Sequence, residues 1–377
     1  MSAPNAILFI PREKGLHGTI HRGSNMMGML LQRYPLVGLE RQRDFGAGPL
    51  PLRFARMIWY WARVSAYSVR QRRDIRLIFC ENTHAVLGGI LAKVLGKPCI
   101  WDMEGDDTLY LSAWRKSYLF SGFVLAFHWV ARKTTDLLVV PCEEDREAYI
   151  RKGRYDAERT VTLPLALDFS QFFDEDGRRK EEVRRSLNID PQKTVLIYTG
   201  HRTEPPYREG AEWICRELAP RLESVSKGVQ ILLTGKGEAI PGTSSQVMFT
   251  GYVPNIYDYI RAADICLAPI WREAGVPGKV FEYMALGKPA VVTTYARGLR
   301  HLTDGWDALV ASTPADFIEK VISLVQRPER AVGIGVRAKE TARRYHSYEA
   351  VAPAVWRAVD ETIVKYPGKR LNRRSDR

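Results

Sequence analysis

One segment, Ala263 to Thr294, constrains the fold of this chain more than any other. It reads ADICLAPI, then WREAGVPG, then KVFEYMALG, then KPAVVTT. The first run is a buried strand closing at Pro269 and Ile270. Gly275, Pro277 and Gly278 make a loop, Lys279 to Leu286 reads as a helix stopped by Gly287, and Ala290 to Thr294 is a second strand. Strand, loop, helix and strand form one βαβ unit, and such a crossover demands a parallel sheet. The loop gathers backbone N–H groups and a helix N-terminus at one point, which suits phosphate. Lys279 stands in the first turn, where a cation is unfavourable for an isolated helix, and a bound anion would explain it. Glu282, about one turn further in, either accepts hydrogen bonds from ligand hydroxyls or simply supports the macrodipole.

The run REAGVPGKVFEYMALGKPAVV resembles the nucleotide-sugar loop of the retaining GT-B glycosyltransferases of family 4, glycosyl transferases group 1. The resemblance implies an α/β fold of two Rossmann-like doubly wound domains facing a central cleft. It further implies a pair of glutamates around the donor, the first on the sugar hydroxyls and the second, here Glu282, on the ribose. Gly278, Lys279 and Val280 would accompany Glu282 at the nucleotide. In the family seven residues separate the two acids. Here that spacing falls on Ala274, and the nearest acid is Glu273, so a one-residue loop insertion is needed to bring Glu273 to the first position.

At 377 residues the chain is long enough for two ordinary domains. Its 45% hydrophobic and 26% charged content is that of a globular protein in water. No run of eighteen apolar residues suggests a spanning helix. The opening MSAPNAILFIPREKG lacks the basic n-region and long apolar core of a signal peptide. Cys80, Cys99, Cys142, Cys215 and Cys266 are scattered without metal-ligand spacing, so they read as reduced core residues. The net charge of +13 points to an anionic partner: nucleic acid, an acidic membrane or phosphate-bearing substrates.

In the first half, Ala6 to Ile10 reads as the opening strand of a Rossmann-like sheet. The resemblance turns the loop after it toward the cleft, which makes His17 and Arg22 candidate site residues, with a plain surface-loop histidine as the alternative for His17; Ser24 can cap a helix reaching Arg33. Leu52 to Arg73 is helical, with Arg56, Arg63 and Arg70 on one stripe and Arg53, Tyr60 and Tyr67 beside it. Phe54, Ile58, Trp61, Ala62 and Val69 fall opposite. Arginines interleaved with tyrosines, next to Trp59, suit a helix lying at an anionic headgroup surface, with a plain solvated face as the alternative. Further strands are expected at 76–80, 98–101, 136–141 and 160–164, and a packed or interfacial helix at Tyr118 to Ala131. The exit Asp102-Met103-Glu104-Gly105-Asp106-Asp107 lies at the carboxyl edge of a parallel sheet, where ligands bind. Many family members have His-Gly where this chain has Glu104-Gly105, so Glu104 or Asp106 would stand in for that histidine.

In the second half, Thr194 to Gly200 is a strand whose exit holds Arg202 and Arg208. Two arginines in a glycine- and proline-rich loop can clamp a diphosphate, and the resemblance places a basic pair in this loop. Gln230 to Thr234 is followed by the turn Gly235-Lys236-Gly237, which offers Lys236 to phosphate or base. Val247 to Tyr252 leads to Tyr252 and Val253, which the resemblance puts at the base pocket, as it puts Gly200 at the donor loop. Expected domain bounds are 1–168 for the acceptor side, 169–192 for a linker, 193–345 for nucleotide-sugar binding, and 346–377 for a returning helix and basic tail.

These readings converge on a hexosyltransferase-type enzyme moving a sugar, with retention, from a nucleotide-diphosphate sugar to a glycan or polyprenyl-linked acceptor. Cell-surface polysaccharide or glycolipid assembly would be the setting. The expected catalytic residues are Arg202, Arg208, Glu273 and Glu104, with no metal and no cofactor beyond the donor. The expected location is cytoplasmic, peripheral on the inner face of the membrane, with the 52–73 helix on the lipid. A nucleotide-sugar epimerase of the same fold is the alternative. A nucleic-acid-binding protein is a further one, disfavoured because neither a zinc knuckle nor an RNA-recognition signature is present.

Overall fold

The computed structural model describes residues 6–10, 22–38, 49–103, 118–152, 154–172, 179–203, 205–272 and 275–367. The chain divides into two units, Met1–Ala166 with Val351–Arg377, and Leu167–Ala350. The first contains β1 (Ala6–Ile10), α1 (Arg22–Leu31), β2 (Leu36–Val37), α2 (Leu50–Arg70), β3 (Ile75–Glu81), α3 (Ala85–Leu95) and β4 (Cys99–Asp102). It continues through α4 (Tyr118–Thr134), β5 (Leu137–Val140), α5 (Glu143–Arg151) and β6 (Thr160–Thr162). The sheet order is β2-β1-β3-β4-β5-β6, and every pairing is parallel. Strands covered on both faces must be apolar throughout. Thus Leu137–Val140 is buried along its whole length, as is Ala6–Ile10.

The second unit begins with α6 (Arg179–Ser186), β7 (Thr194–Thr199) and α7 (Pro205–Trp213), which passes through a π turn (Ile214–Leu218) into α8 (Ala219–Val225). Then come β8 (Val229–Thr234), β9 (Val247–Gly251), α9 (Ile256–Ala262), β10 (Ile265–Ala268), α10 (Gly278–Ala285), β11 (Ala290–Thr293) and β12 (Leu309–Ala311). This unit closes with α11 (Pro314–Gln326) and α12 (Pro328–His346), while α13 (Tyr348–Lys365) belongs from Val351 onward to the first unit. The sheet order of the second unit is β12-β11-β10-β7-β8-β9, again all parallel. Strand order reverses between β7 and β10 here, and between β1 and β3 in the first sheet. In open parallel sheets ligands bind outside the carboxyl ends at such reversals. No helix among the described residues is long and apolar enough to cross a membrane.

The face assignment of α2 is corrected. Among the described side chains of this helix Tyr60, Trp61, Val64 and Ser68 are buried, and Tyr67 packs against the same core. The tyrosines therefore belong to the interior, beside Ile78 and Leu91, and not to a headgroup surface. Ile58, at 66% exposure, Trp59 and Val69 point outward instead, with the Arg63 guanidinium 4.6 Å from the Trp59 ring centroid. The large amphipathic rings cover more core area than the aliphatic residues opposite, so packing decided the orientation.

All five cysteines are buried free thiols. Lys180 and Arg184 of α6 both pair with Asp264, whose other contact is the Val195 N–H at the start of β7. Burial works against the Asp264 carboxylate, but these partners outweigh it and hold its pKa below the ordinary value.

Candidate active site

The reversal point of the second sheet is built around Thr199, the last residue of β7. Tyr283 of α10 reaches it twice: its Oη lies 2.7 Å from Thr199 Oγ1 and accepts from Thr199 N at 3.1 Å. Lys279, in the first turn of α10, donates from Nζ to the Thr199 carbonyl. The whole of α10 from Lys279 to Ala285 is buried, so its start is held against the end of β7. Pro277 at the N-cap offers no side-chain acceptor, and its carbonyl takes the Val280 N–H at 2.9 Å.

Lys279 Nζ sits 4.2 Å from the Tyr198 ring centroid and 4.4 Å from that of Tyr207. Two aromatic faces and one carbonyl thus hold a buried ammonium in place. Gly200 adjoins it: a Cβ there would lie 2.9 Å from the Tyr207 ring and 3.2 Å from Lys279 Nζ. The turn after β8 closes on the same point. Gly235, at φ +109°, approaches so closely that a Cβ would come within 2.2 Å of the Gly200 carbonyl oxygen. Gly235 N donates to Gly251 O at 2.8 Å and Arg202 N to Lys236 O at 2.8 Å. Three neighbouring strand exits are in this way laced into one floor.

Glu282 is 1% exposed. Burial, and next the Glu282 charge, hold the Tyr257 phenol well above its ordinary pKa. Gly278 and Val280 flank Lys279 in the same turn. Lys236 stands over the Tyr252 ring at 5.7 Å, with Tyr252 half exposed and Val253 buried.

The two arginines are placed differently. Arg202 is buried, donating to Gly237 O at 2.7 Å, Glu238 O at 3.3 Å and Leu233 O at 3.4 Å, with its guanidinium 5.1 Å from the Phe249 ring centroid. Burial lowers its pKa from the ordinary value. Arg202 thus braces the turn after β8. Arg208 is exposed on α7 and pairs with Glu212 at 3.0 Å, four residues on. A pair of that kind contributes only about 0.3–0.5 kcal/mol, so Arg208 can readily exchange it for another anion.

In the first unit, Arg22 is buried at the start of α1. Its Nε lies 2.8 Å from Asp102 Oδ1 and its NH1 2.8 Å from Leu163 O, with both ionic partners buried. Asn25 adds a bond to Ala166 O at 2.7 Å. Arg22 is consequently tied to the strand ends of its own sheet. His17, Glu104, Asp106, Glu273 and Ala274 lie outside the described residues. The residues that sequence reasoning missed are Thr199, Tyr283, Tyr198 and Tyr207. No spacing marks them: Tyr283 meets Thr199 from 84 residues away, and Tyr207 comes to Tyr198 by accepting its hydroxyl at the Tyr207 carbonyl, 2.9 Å away. Among the described residues no group of His, Cys, Asp and Glu forms a metal-holding cluster.

Residues 193–327 match the family model described as Glycosyl transferases group 1. The protein EpsD of Bacillus subtilis (strain 168), whose name assigns it provisionally to the glycosyltransferases, is 29% identical over 286 residues, covering 71% of this chain and 73% of its own. A GDP-mannose-dependent alpha-(1-6)-phosphatidylinositol dimannoside mannosyltransferase of Mycobacterium tuberculosis is 26% identical over 196 residues, 49% of this chain and 48% of that one. The Anabaena protein HepE, solved in complex with UDP and glucose, superposes with a TM-score of 0.72 at 14% identity, over 94% of this chain and 99% of its own. The chain is thus similar to group 1 glycosyl transferases over residues 193–327, and its two parallel α/β sheets share the GT-B fold.

Proposed function

We propose that this chain transfers a hexosyl group, with retention of configuration, from a nucleotide-diphosphate sugar to a glycan or lipid-linked acceptor. The observation that carries the reading is Lys279, a buried cation fixed by Thr199, Tyr198 and Tyr207 where the sheet reverses and α10 begins. When the sugar–phosphate bond breaks, the departing diphosphate gains negative charge. A preorganised ammonium beside helix N–H groups interacts with that charge more strongly than with the intact donor. Arg208 is the second cation, moving from Glu212 to the diphosphate, while Arg202 holds the turn that shapes the floor. Glu282 holds the ribose, Gly200, Gly278 and Val280 let the phosphates approach, and Lys236, Tyr252 and Val253 face the base. Glu273 takes the sugar hydroxyls. The acceptor oxygen attacks the anomeric carbon on the face the diphosphate leaves, and its proton passes to the departing phosphate oxygen. The reaction then needs neither a protein base nor a resident metal, and Glu104 serves to orient the transferred sugar.

The acceptor side rests on two supports. One relative is named for a phosphatidylinositol-based acceptor and a GDP-mannose donor. The outward stripe of α2, with Ile58, Trp59 and Val69 exposed and Arg63 over Trp59, has the composition of an interfacial helix. We place the enzyme peripherally on the cytoplasmic leaflet, in cell-surface polysaccharide or glycolipid assembly. The deciding experiment incubates the protein with UDP- and GDP-hexoses and a polyprenyl-diphosphate-linked glycan, following the anomeric proton by NMR. Transfer with unchanged configuration is expected. An inverted product removes the retaining assignment, and donor isomerised without acceptor identifies an epimerase.

A further inference from the structure

The first sheet has a second concave feature, at the opposite edge from its reversal point. A cavity of about 310 Å³ opens below the amino ends of β5 and β6, lined by Arg132, Lys133, Arg154, Arg159, Asp136 and Asp156, among others. Its four cations come from three places: the last turn of α4, the connection after α5, and the turn before β6. A helix C-terminus favours one or two basic residues, which accounts for Arg132 and Lys133 but not for Arg154 and Arg159.

The two carboxylates are already engaged. Asp136 takes Lys93 at 2.8 Å and Cys99 N at 2.9 Å, and Asp156 accepts from Glu158 N at 2.9 Å. Arg159 bonds the carbonyls of Asp136 and Thr135 and lies 5.8 Å from the Tyr366 ring centroid. Arg132 donates to the Arg154 carbonyl at 2.8 Å. That bond pins Arg154, a non-glycine residue in the left-handed region at φ +55°, a conformation that costs free energy and concentrates at ligand sites. Among the described residues, neither Lys133 nor Arg154 pairs its side chain with a carboxylate. Leu125 and Trp129 stand two turns and one turn before Lys133 on α4, at 64% and 58% exposure. Positions 125, 129 and 133 share one face of a helix.

We propose that this cavity binds the phosphate group of an amphiphile. Lys133 and Arg154 supply the charge-assisted contacts, with Arg132 and Arg159 behind them, and the apolar portion lies along Trp129 and Leu125. The chemistry is common to a phospholipid headgroup and to a free phosphate ester, and two arms of one experiment separate them. The full chain is titrated with inorganic phosphate and glycerophosphate, and separately with phosphatidylcholine vesicles with and without phosphatidylglycerol. Both titrations are repeated with the double variant Lys133→Gln/Arg154→Asn, which leaves every side-chain bond described here intact. A control variant, Arg221→Gln/Lys227→Gln, makes the same charge change on the second unit. Loss of roughly tenfold in affinity in the double variant alone supports the site. That loss in the vesicle arm identifies a headgroup, and in the soluble arm a phosphate ester. Absence of binding in both arms, or equal losses in the double and control variants, overturns it. Donor binding is measured on the other unit, so this outcome is independent of the transferase assay.

Discussion

Tyr283 and Thr199 meet across the reversal of the second sheet, 2.7 Å apart through their hydroxyls, while the Thr199 N–H also donates to Tyr283 at 3.1 Å. With Lys279 on the Thr199 carbonyl, every polar group of one buried threonine is taken by α10. The start of α10 is therefore positioned by hydrogen bonds and not by packing alone. Tyr283→Phe leaves two buried groups of Thr199 without this partner. It should lower stability by about 1–3 kcal/mol and raise the donor KM by loosening the start of α10. Chemical denaturation and steady-state kinetics, with Thr199→Val completing a double-mutant cycle, check both.

Lys279→Gln keeps much of the side-chain length but removes the charge. If Lys279 steadies the departing diphosphate, kcat/KM should fall by about 10² or more, with a smaller loss in the affinity for the bare nucleotide diphosphate. Equal losses in both would assign Lys279 to ground-state binding only.

Arg202 and Arg208 should respond in opposite ways. Arg202→Ala removes three bonds to the carbonyls of Leu233, Gly237 and Glu238, so it should destabilise the fold by about 2–4 kcal/mol and reduce activity with it. Arg208→Ala breaks a surface pair and should change stability by less than about 0.5 kcal/mol, while reducing kcat. Thermal unfolding beside turnover separates the two roles. A fully active Arg208→Ala enzyme would strike Arg208 from the site.

Lys288 provides a test in pH. Its ammonium donates to the carbonyls of Arg261 and Ala263 at 2.7 Å each, yet burial, above all, brings its pKa down to about 8 from 10.5. Between those values the unfolded chain holds more protons than the folded one, so stability rises with pH across that window. Measured as the difference from Lys288→Met, which cancels other titrations, the gain should be on the order of 3 kcal/mol from pH 8 to 10.5. A flat difference would mean that the two carbonyls fully offset the burial.

Much of the architecture was legible because strands of a parallel sheet are covered on both faces and so read as unbroken apolar runs. RLIFC, DLLVVP and TVLIYTG announce β3, β5 and β7 for that reason. The two-residue β2 leaves no such trace. In the site, Lys279 and Glu282 stood out because the glycine loop and the helix start are consecutive in sequence. Thr199 and Tyr283 did not, since 84 residues separate them and only strand order makes them neighbours. The facing of α2 was misread because Tyr and Trp suit an interface and a core equally well, and local periodicity cannot choose between them. Arg202 shows the same limit: a loop arginine looks identical in sequence whether it faces a ligand or a neighbouring turn.

The burial of all five thiols has a practical consequence. Cys80, Cys99 and Cys142 belong to the first unit, and Cys215 and Cys266 to the second. An alkylating reagent reaches each only when the structure around it opens. Timed labelling followed by peptide mapping thus reports the breathing of each half separately, and adding a donor nucleotide should slow modification of Cys215 and Cys266 first. The native chain carries its own clocks for the two halves.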